Sequence, residues 1–196
     1  MIKNNEGGDI MDNLPTKPSD IKKEFSWERL GINKGRATLG NEMPVLVYRL
    51  MQFSMFDVLV NEFEVEKAQE LFRKAGYLAG TEYAKNILDL TLSFDVFIPV
   101  LQNSLIDLRI GVLNLEEFNA RTGEIVLTIS EDLGYSGFPV NNETACYYGE
   151  GFIAGILDSY TGKKYTVREI DCWTSGDRVY RFHATVEEQK IQLLRY

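Results

Sequence analysis

Histidine is almost missing from this 196-residue chain, which holds one, and cysteine is scarce, with two. Two cysteines are too few for the disulfide scaffold of a small secreted protein. The chain has no run of about 18 apolar residues, so no transmembrane helix is expected. The opening MIKNNEGGDIMDN lacks the apolar core of a signal peptide, and the expected compartment is the cytoplasm. Positive charge is in deficit: 21 Lys and Arg stand against 29 Asp and Glu, a net charge of −8. This argues against nucleic acid or an anionic membrane as the main partner, because both are held by a basic face. No G-x-G-x-x-G loop follows a strand, no iron–sulfur cysteine set occurs and no haem-attachment motif is found. No nucleotide cofactor is therefore expected. A DNA-binding motif and an ATPase loop are missing too, so any signal is expected to pass through a partner protein.

What is present suits a globular domain, with 44% hydrophobic and 12% aromatic residues and a length that fits one core. Residues 1–24, rich in Asn, Gly, Pro and Lys, are expected to form a mobile tail, and residues 25–196 a single domain. A short extended segment is expected over 25–36. Residues 41–63 read as a helix with Pro44 in its first turn. Val45, Leu46, Val47, Leu50, Met51, Phe53, Met55, Phe56, Leu59 and Val60 leave only a narrow polar stripe at Arg49, Gln52, Asp57 and Asn61. A helix apolar on most of its surface is buried or paired with another chain, so a homodimer is expected.

Residues 64–88 predict a second, amphipathic helix with a stripe of Ala68, Leu71, Phe72, Ala75 and Ala79; Gly76 and Gly80 would let a neighbouring helix come close. Ser93 can cap a third helix ending near Arg109, with a bend or later start at Pro99. The period then changes. Residues 112–118 and 124–130 flank Arg121-Thr122-Gly123 as a hairpin, and 131–139 read as a loop. Asn141 or Asn142 caps a fourth helix running to about Tyr160, whose Gly149, Gly151 and Gly155 call for a close neighbour. Residues 165–172 and 178–186 form a second hairpin, and 187–196 a last short helix. The order predicts an α+β domain with an antiparallel sheet.

Chemistry concentrates in residues 143–184, which hold Cys146, Cys172 and His183, with Glu169 three residues before Cys172. Cysteine and carboxylate at this spacing suggest a metal site or the remains of one. Glu150 reads most simply as a solvated helix carboxylate, Asp177 as a turn residue, and Trp173 as a shield or plain packing.

The run EGF-AG-L…YTGK…V-E-DCW-SGDRV-RF-A, together with GNEMPVLVYRLMQ upstream, resembles the 4-vinyl-reductase domain family. That family includes hydrocarbon-binding proteins and the sensor domains of phenol- and xylene-responsive transcription activators. Its fold is related to those of the TRAPP trafficking subunits and the haem-nitric-oxide-binding proteins. The resemblance implies a helical half packed on a four-stranded antiparallel sheet. It also implies a zinc position between the fourth helix and the last hairpin. The ligand positions fall on Cys146, Glu169 and Cys172, with Tyr180 where relatives carry a further cysteine. Tyrosine, with a pKa of about 10, is a poor zinc ligand near neutrality. His183, three residues along a strand from Tyr180, points to the opposite face. Two outcomes stay open: zinc completed by water, or a degenerate site of buried cysteines. The resemblance further implies an apolar ligand pocket, for which Phe94, Phe97, Ile98, Leu101, Phe152, Ile156 and Val167 are the candidate walls. The phenol sensors anchor their ligand with an upstream His and Trp that have no counterpart here, which favours a more apolar ligand. Three functions follow as alternatives: a binding or sensor module for an apolar small molecule, a reductase of a vinyl tetrapyrrole, or a dimeric interaction scaffold resembling the trafficking subunits.

Overall fold

The structure, a computed structural model, describes residues 25–32, 34–137, 146–171 and 179–187. The expected tail over 1–24, the caps at Asn141 and Asn142, Asp177, Trp173, and the final helix over 188–196 lie outside the described residues. The first described segment is a short 3-10 helix, Trp27–Leu30, where an extended segment was expected. Gly31 closes it in the left-handed conformation, with its N–H returned to the Glu28 carbonyl. Four helices follow: α1 (Val45–Phe63), α2 (Val65–Ile87), α3 (Phe94–Asp107) and, after two strands, α4 (Tyr147–Thr161). Pro44 sits one residue before α1, where its missing N–H costs nothing. Ser93 precedes α3, which begins at Phe94 and runs through Pro99 rather than starting after it.

The strands β1 (Val112–Phe118), β2 (Ile125–Ser130), β3 (Tyr165–Asp171) and β4 (Tyr180–Val186) make one antiparallel sheet in the order β1-β2-β4-β3. The β1–β2 turn is tied by Asn119, whose side-chain oxygen accepts from the N–H groups of Arg121 and Thr122. Gly123 closes the turn at φ 79°. Inward-facing Tyr165, Val167 and Glu169 on β3 alternate with more exposed neighbours, as do Tyr180, Phe182 and Ala184 on β4. The core lies between this face and the helices α3 and α4.

The most extensive helix packing is α2 against α4, and glycine on both helices permits it. A Cβ added at Gly76 would collide with the Tyr148 carbonyl, and one at Gly80 with that of Phe152. Reciprocally, Gly151 faces the Arg73 carbonyl and Gly155 that of Tyr77. The buried row of α2 is therefore Ala68, Phe72, Gly76, Gly80 and Ala84, an i+4 row of mostly small residues. The expected apolar stripe is turned relative to this row, since Ala75 is exposed. Two buried α4 carboxylates flank the glycine contact. Asp158 accepts from Tyr77, Lys164 and the Tyr165 N–H. Glu150, 5% exposed, accepts from Arg73, Arg168 and the Glu169 N–H, which corrects its reading as a solvated carboxylate. It is buried because α4 lies pressed between α2 and β3.

Helix α1 departs most from a simple amphipathic helix. Gln52 is its only buried residue, while Leu46, Leu50 and Val58 are 67%, 63% and 59% exposed. The side facing the protein carries part of the polar stripe, Arg49 and Gln52, alongside Tyr48, Phe53 and Phe56. The apolar side has no cover among the described residues. A single residue, Glu64, joins α1 to α2 at φ 67° and ψ 163°.

Candidate functional site

Beneath α1 lies a cavity of about 280 Å³. Its roof is α1, through Tyr48 and Gln52; its side is the 132–135 turn; its floor is the start of α4 and the inner face of β2 and β4. The apolar wall comprises Ile110, Ile129, Leu133, Phe152, Ile153 and Phe182. Polar atoms come from Tyr48, Gln52, Asp132, Tyr135, Cys146 and Tyr148. Among the described residues no Lys, Arg or His lines it. A smaller void of about 30 Å³ adjoins it, sharing Ile110, Ile129, Phe152 and Ile153.

The turn beside the cavity is held from three directions. Asp132 Oδ1 accepts from the N–H groups of Gly134 and Tyr135, at 2.9 and 2.8 Å. The Leu133 N–H donates to the Ile110 carbonyl at 2.9 Å. Arg49, reaching from α1, donates to the carbonyls of Leu133 and Ser136, both at 2.9 Å. The roof and side of the cavity are thus one hydrogen-bonded unit. Burial sets the ionisation state of its lining. It pushes the Tyr48 hydroxyl up, with Tyr148 and Asp132 adding to the effect. It likewise raises Tyr135 and Tyr148 above the ordinary tyrosine value. The Asp132 carboxyl is raised by burial, partly offset by its two backbone donors and by Arg49. The Cys146 thiol is pushed well up by burial, then by the charges of Asp132 and Glu169. Phenols and a thiol raised in this way are neutral at physiological pH.

Gln52 is 7% exposed, and its side chain hydrogen-bonds Tyr135. Its Oε1 is fully buried and receives no hydrogen bond. Tyr135 also packs edge-on against Phe53, with ring centroids 5.3 Å apart, and lies 6.3 Å from the Tyr180 ring.

The expected pocket walls are distributed over several places. Ile98, Leu101, Phe152 and Ile156 line the smaller void, and Phe152 also lines the larger one. Phe97 is fully buried and stacks on Tyr160 at 3.7 Å, and Phe94 stacks on Phe118 at 4.0 Å. Val167 borders an open cleft on the other side of α4, with Arg73, Tyr77 and Arg168. Tyr48, Gln52, Asp132, Tyr135 and Tyr148 were not anticipated. The signal available for two of them was the i, i+4 pair Tyr48 and Gln52 on the stripe of the first helix.

Of the metal positions, Cys146 and Glu169 come together: the Cys146 N–H donates to Glu169 Oε2 at 3.0 Å. Glu169 is the last inward residue before a bulge in β3. Tyr180 is 1% exposed on the same sheet face, and His183 points to the other face, with its Nε2 4.0 Å from Glu124. Cys172 lies outside the described residues. Among the described residues no three His, Cys, Asp or Glu converge as a metal site, and Cys146 and Glu169 supply two donors where a structural zinc takes four. No described helix is long and apolar enough to cross a membrane.

Comparison with known proteins bears out the family resemblance. The model of the 4-vinyl-reductase (4VR) domain matches residues 125–186, which span β2, α4, β3 and β4. The fold is shared with the phenol-responsive sensory domain of the transcription activator PoxR, bound to phenol (TM-score 0.59, 19% identity, 77% of this chain and 80% of that one). A trafficking protein particle complex subunit 3 from Naegleria fowleri, covalently bound to palmitic acid, aligns equally well (TM-score 0.59, 14% identity, 74% and 95%). A vinyl-4-reductase family protein from Methanocaldococcus jannaschii also superposes (TM-score 0.53, 17% identity, 76% and 85%). Four helices on a four-stranded antiparallel sheet, the expected α+β arrangement, is therefore a fold with known representatives.

Proposed function

We propose that this chain is a binding or sensor module for a small, neutral, largely apolar molecule held beneath α1. The observation that carries this reading is the cavity of about 280 Å³, apolar on most of its wall and ringed by hydroxyl, amide and thiol groups. Ligand sites are usually concave and apolar, with a few placed polar groups, and run from about 300 to 1,000 Å³. This one is at the small end, suited to one or two fused rings. Its described lining has no cation to receive an anion and contains a carboxylate that would repel one. The 4-vinyl-reductase domain match supports the reading, as does the shared fold with a phenol-responsive sensory domain. The test is titration of the full chain with 2-methylnaphthalene, followed by calorimetry and thermal shift. Saturable binding with a raised Tm is expected, and Ile153→Phe, which fills the cavity, should abolish it. Equal binding by wild type and variant would move the ligand elsewhere, and no binding by a panel of neutral one- and two-ring compounds would end the proposal.

The outward side of α1 favours a second element of the same reading, a homodimer through this helix. Contiguous exposed apolar surface of this kind marks contact sites, and Leu46, Leu50, Met55 and Val58 present it here. In a dimeric sensor the signal would leave through a partner protein contacting the same helix pair.

A further inference from the structure

We propose that Gln52 selects the occupant of the cavity, and that this occupant carries a hydroxyl group which donates its proton to Gln52 Oε1. The inference rests on the reading of the cavity as a ligand site and narrows its ligand to a neutral apolar alcohol or phenol. Gln52 is the buried residue of α1, it lines the cavity, and its amide already engages Tyr135. That leaves Oε1, wholly buried and without a donor. A buried acceptor left unmet costs about 1–3 kcal/mol, and folded proteins satisfy nearly all such groups. The hydroxyls of Tyr48 and Tyr148 share the wall but do not reach it. Asp132, the one carboxylate in the described lining, has Oδ1 committed to two backbone donors. The unmet valence of the cavity is thus a single neutral acceptor set in an apolar wall. A site built to bond a hydroxyl rejects an analogue that lacks it, because its own polar group is then stranded.

Three bicyclic ligands test this on the full-length chain: 2-naphthol, a donor; 2-methylnaphthalene, with methyl in place of hydroxyl; and quinoline, an acceptor only. Wild type is expected to bind 2-naphthol about tenfold more tightly than quinoline. Gln52→Met is expected to weaken 2-naphthol about tenfold while leaving 2-methylnaphthalene within about twofold. Quinoline binding as well as or better than 2-naphthol in wild type overturns the inference, as does a Gln52→Met variant with unchanged 2-naphthol affinity. The wild-type comparison stands even if the variant does not fold. If 2-methylnaphthalene binds but the hydroxyl confers no advantage, the cavity reading survives and the role of Gln52 does not. If none of the three binds, both fall.

Discussion

Asp132 illustrates at the residue scale how this site combines order with electrostatic cost. Its Oδ1 organises the turn through two backbone N–H groups, yet burial raises its carboxyl above the ordinary value. An acid whose folded pKa is raised binds its proton more tightly in the folded state than in the unfolded one. Its favourable contribution is complete below the unfolded pKa and is lost as pH rises through the folded one. Asp132→Asn keeps the acceptor and removes the charge. The variant is expected to melt higher than wild type at neutral pH, with the gap closing on acidification toward the ordinary Asp value. A Tm series across pH checks this, and a gap that is constant with pH would mean that the charge is not its source. Arg49 works from the opposite side of the same turn. Arg49→Met removes two charge-assisted bonds to Leu133 and Ser136, each worth about 1.5–3 kcal/mol. It should loosen the cavity wall and weaken ligand binding more than it lowers Tm, which calorimetry and melting curves on one preparation would resolve.

Among the elements, the α2–α4 contact is the least tolerant. Added Cβ atoms at Gly76 or Gly151 meet backbone rather than movable side chains. Gly76→Ala and Gly151→Ala are each expected to destabilise by about 1–3 kcal/mol or more, against the gain of up to about 1 kcal/mol that the same change brings in an unobstructed helix. Urea denaturation gives the sign directly. The glycines of these helices were a legible signal because glycine in a helix interior has a cost that calls for a neighbour. The hairpins were legible because alternation fixes which residues face inward, so the strands agree with expectation to within two residues. Helix α1 was legible as a helix but not in its orientation. With apolar residues on most sides its pattern carries no phase, and the side that turned inward bears Arg49 and Gln52. For the same reason the walls of the cavity could not be read in advance. They come from α1, a turn classed only as loop, and the head of α4, which are joined by tertiary packing rather than by spacing. Cys146 and Glu169, by contrast, were paired from sequence and meet through a hydrogen bond.

For the whole molecule, the question is what covers α1. If a second copy does, light scattering at tens of micromolar should report a dimer. Leu46→Glu with Leu50→Glu should give a monomer with an unchanged melting curve, since both side chains are outside the core. A wild-type monomer at that concentration would remove the homodimer from the functional reading. Helix α1 is 19 residues long and has the cavity on one side and the open face on the other. Whatever settles on either side acts on the same rod, pinned through Arg49 and joined to α2 at Glu64 alone. Binding free energies at two such sites are reciprocal: if an occupant of the cavity changes the affinity of the outer partner by some factor, the partner changes the occupant's affinity by that same factor. The dissociation constant of the small molecule would then depend on protein concentration, and dilution alone would release it.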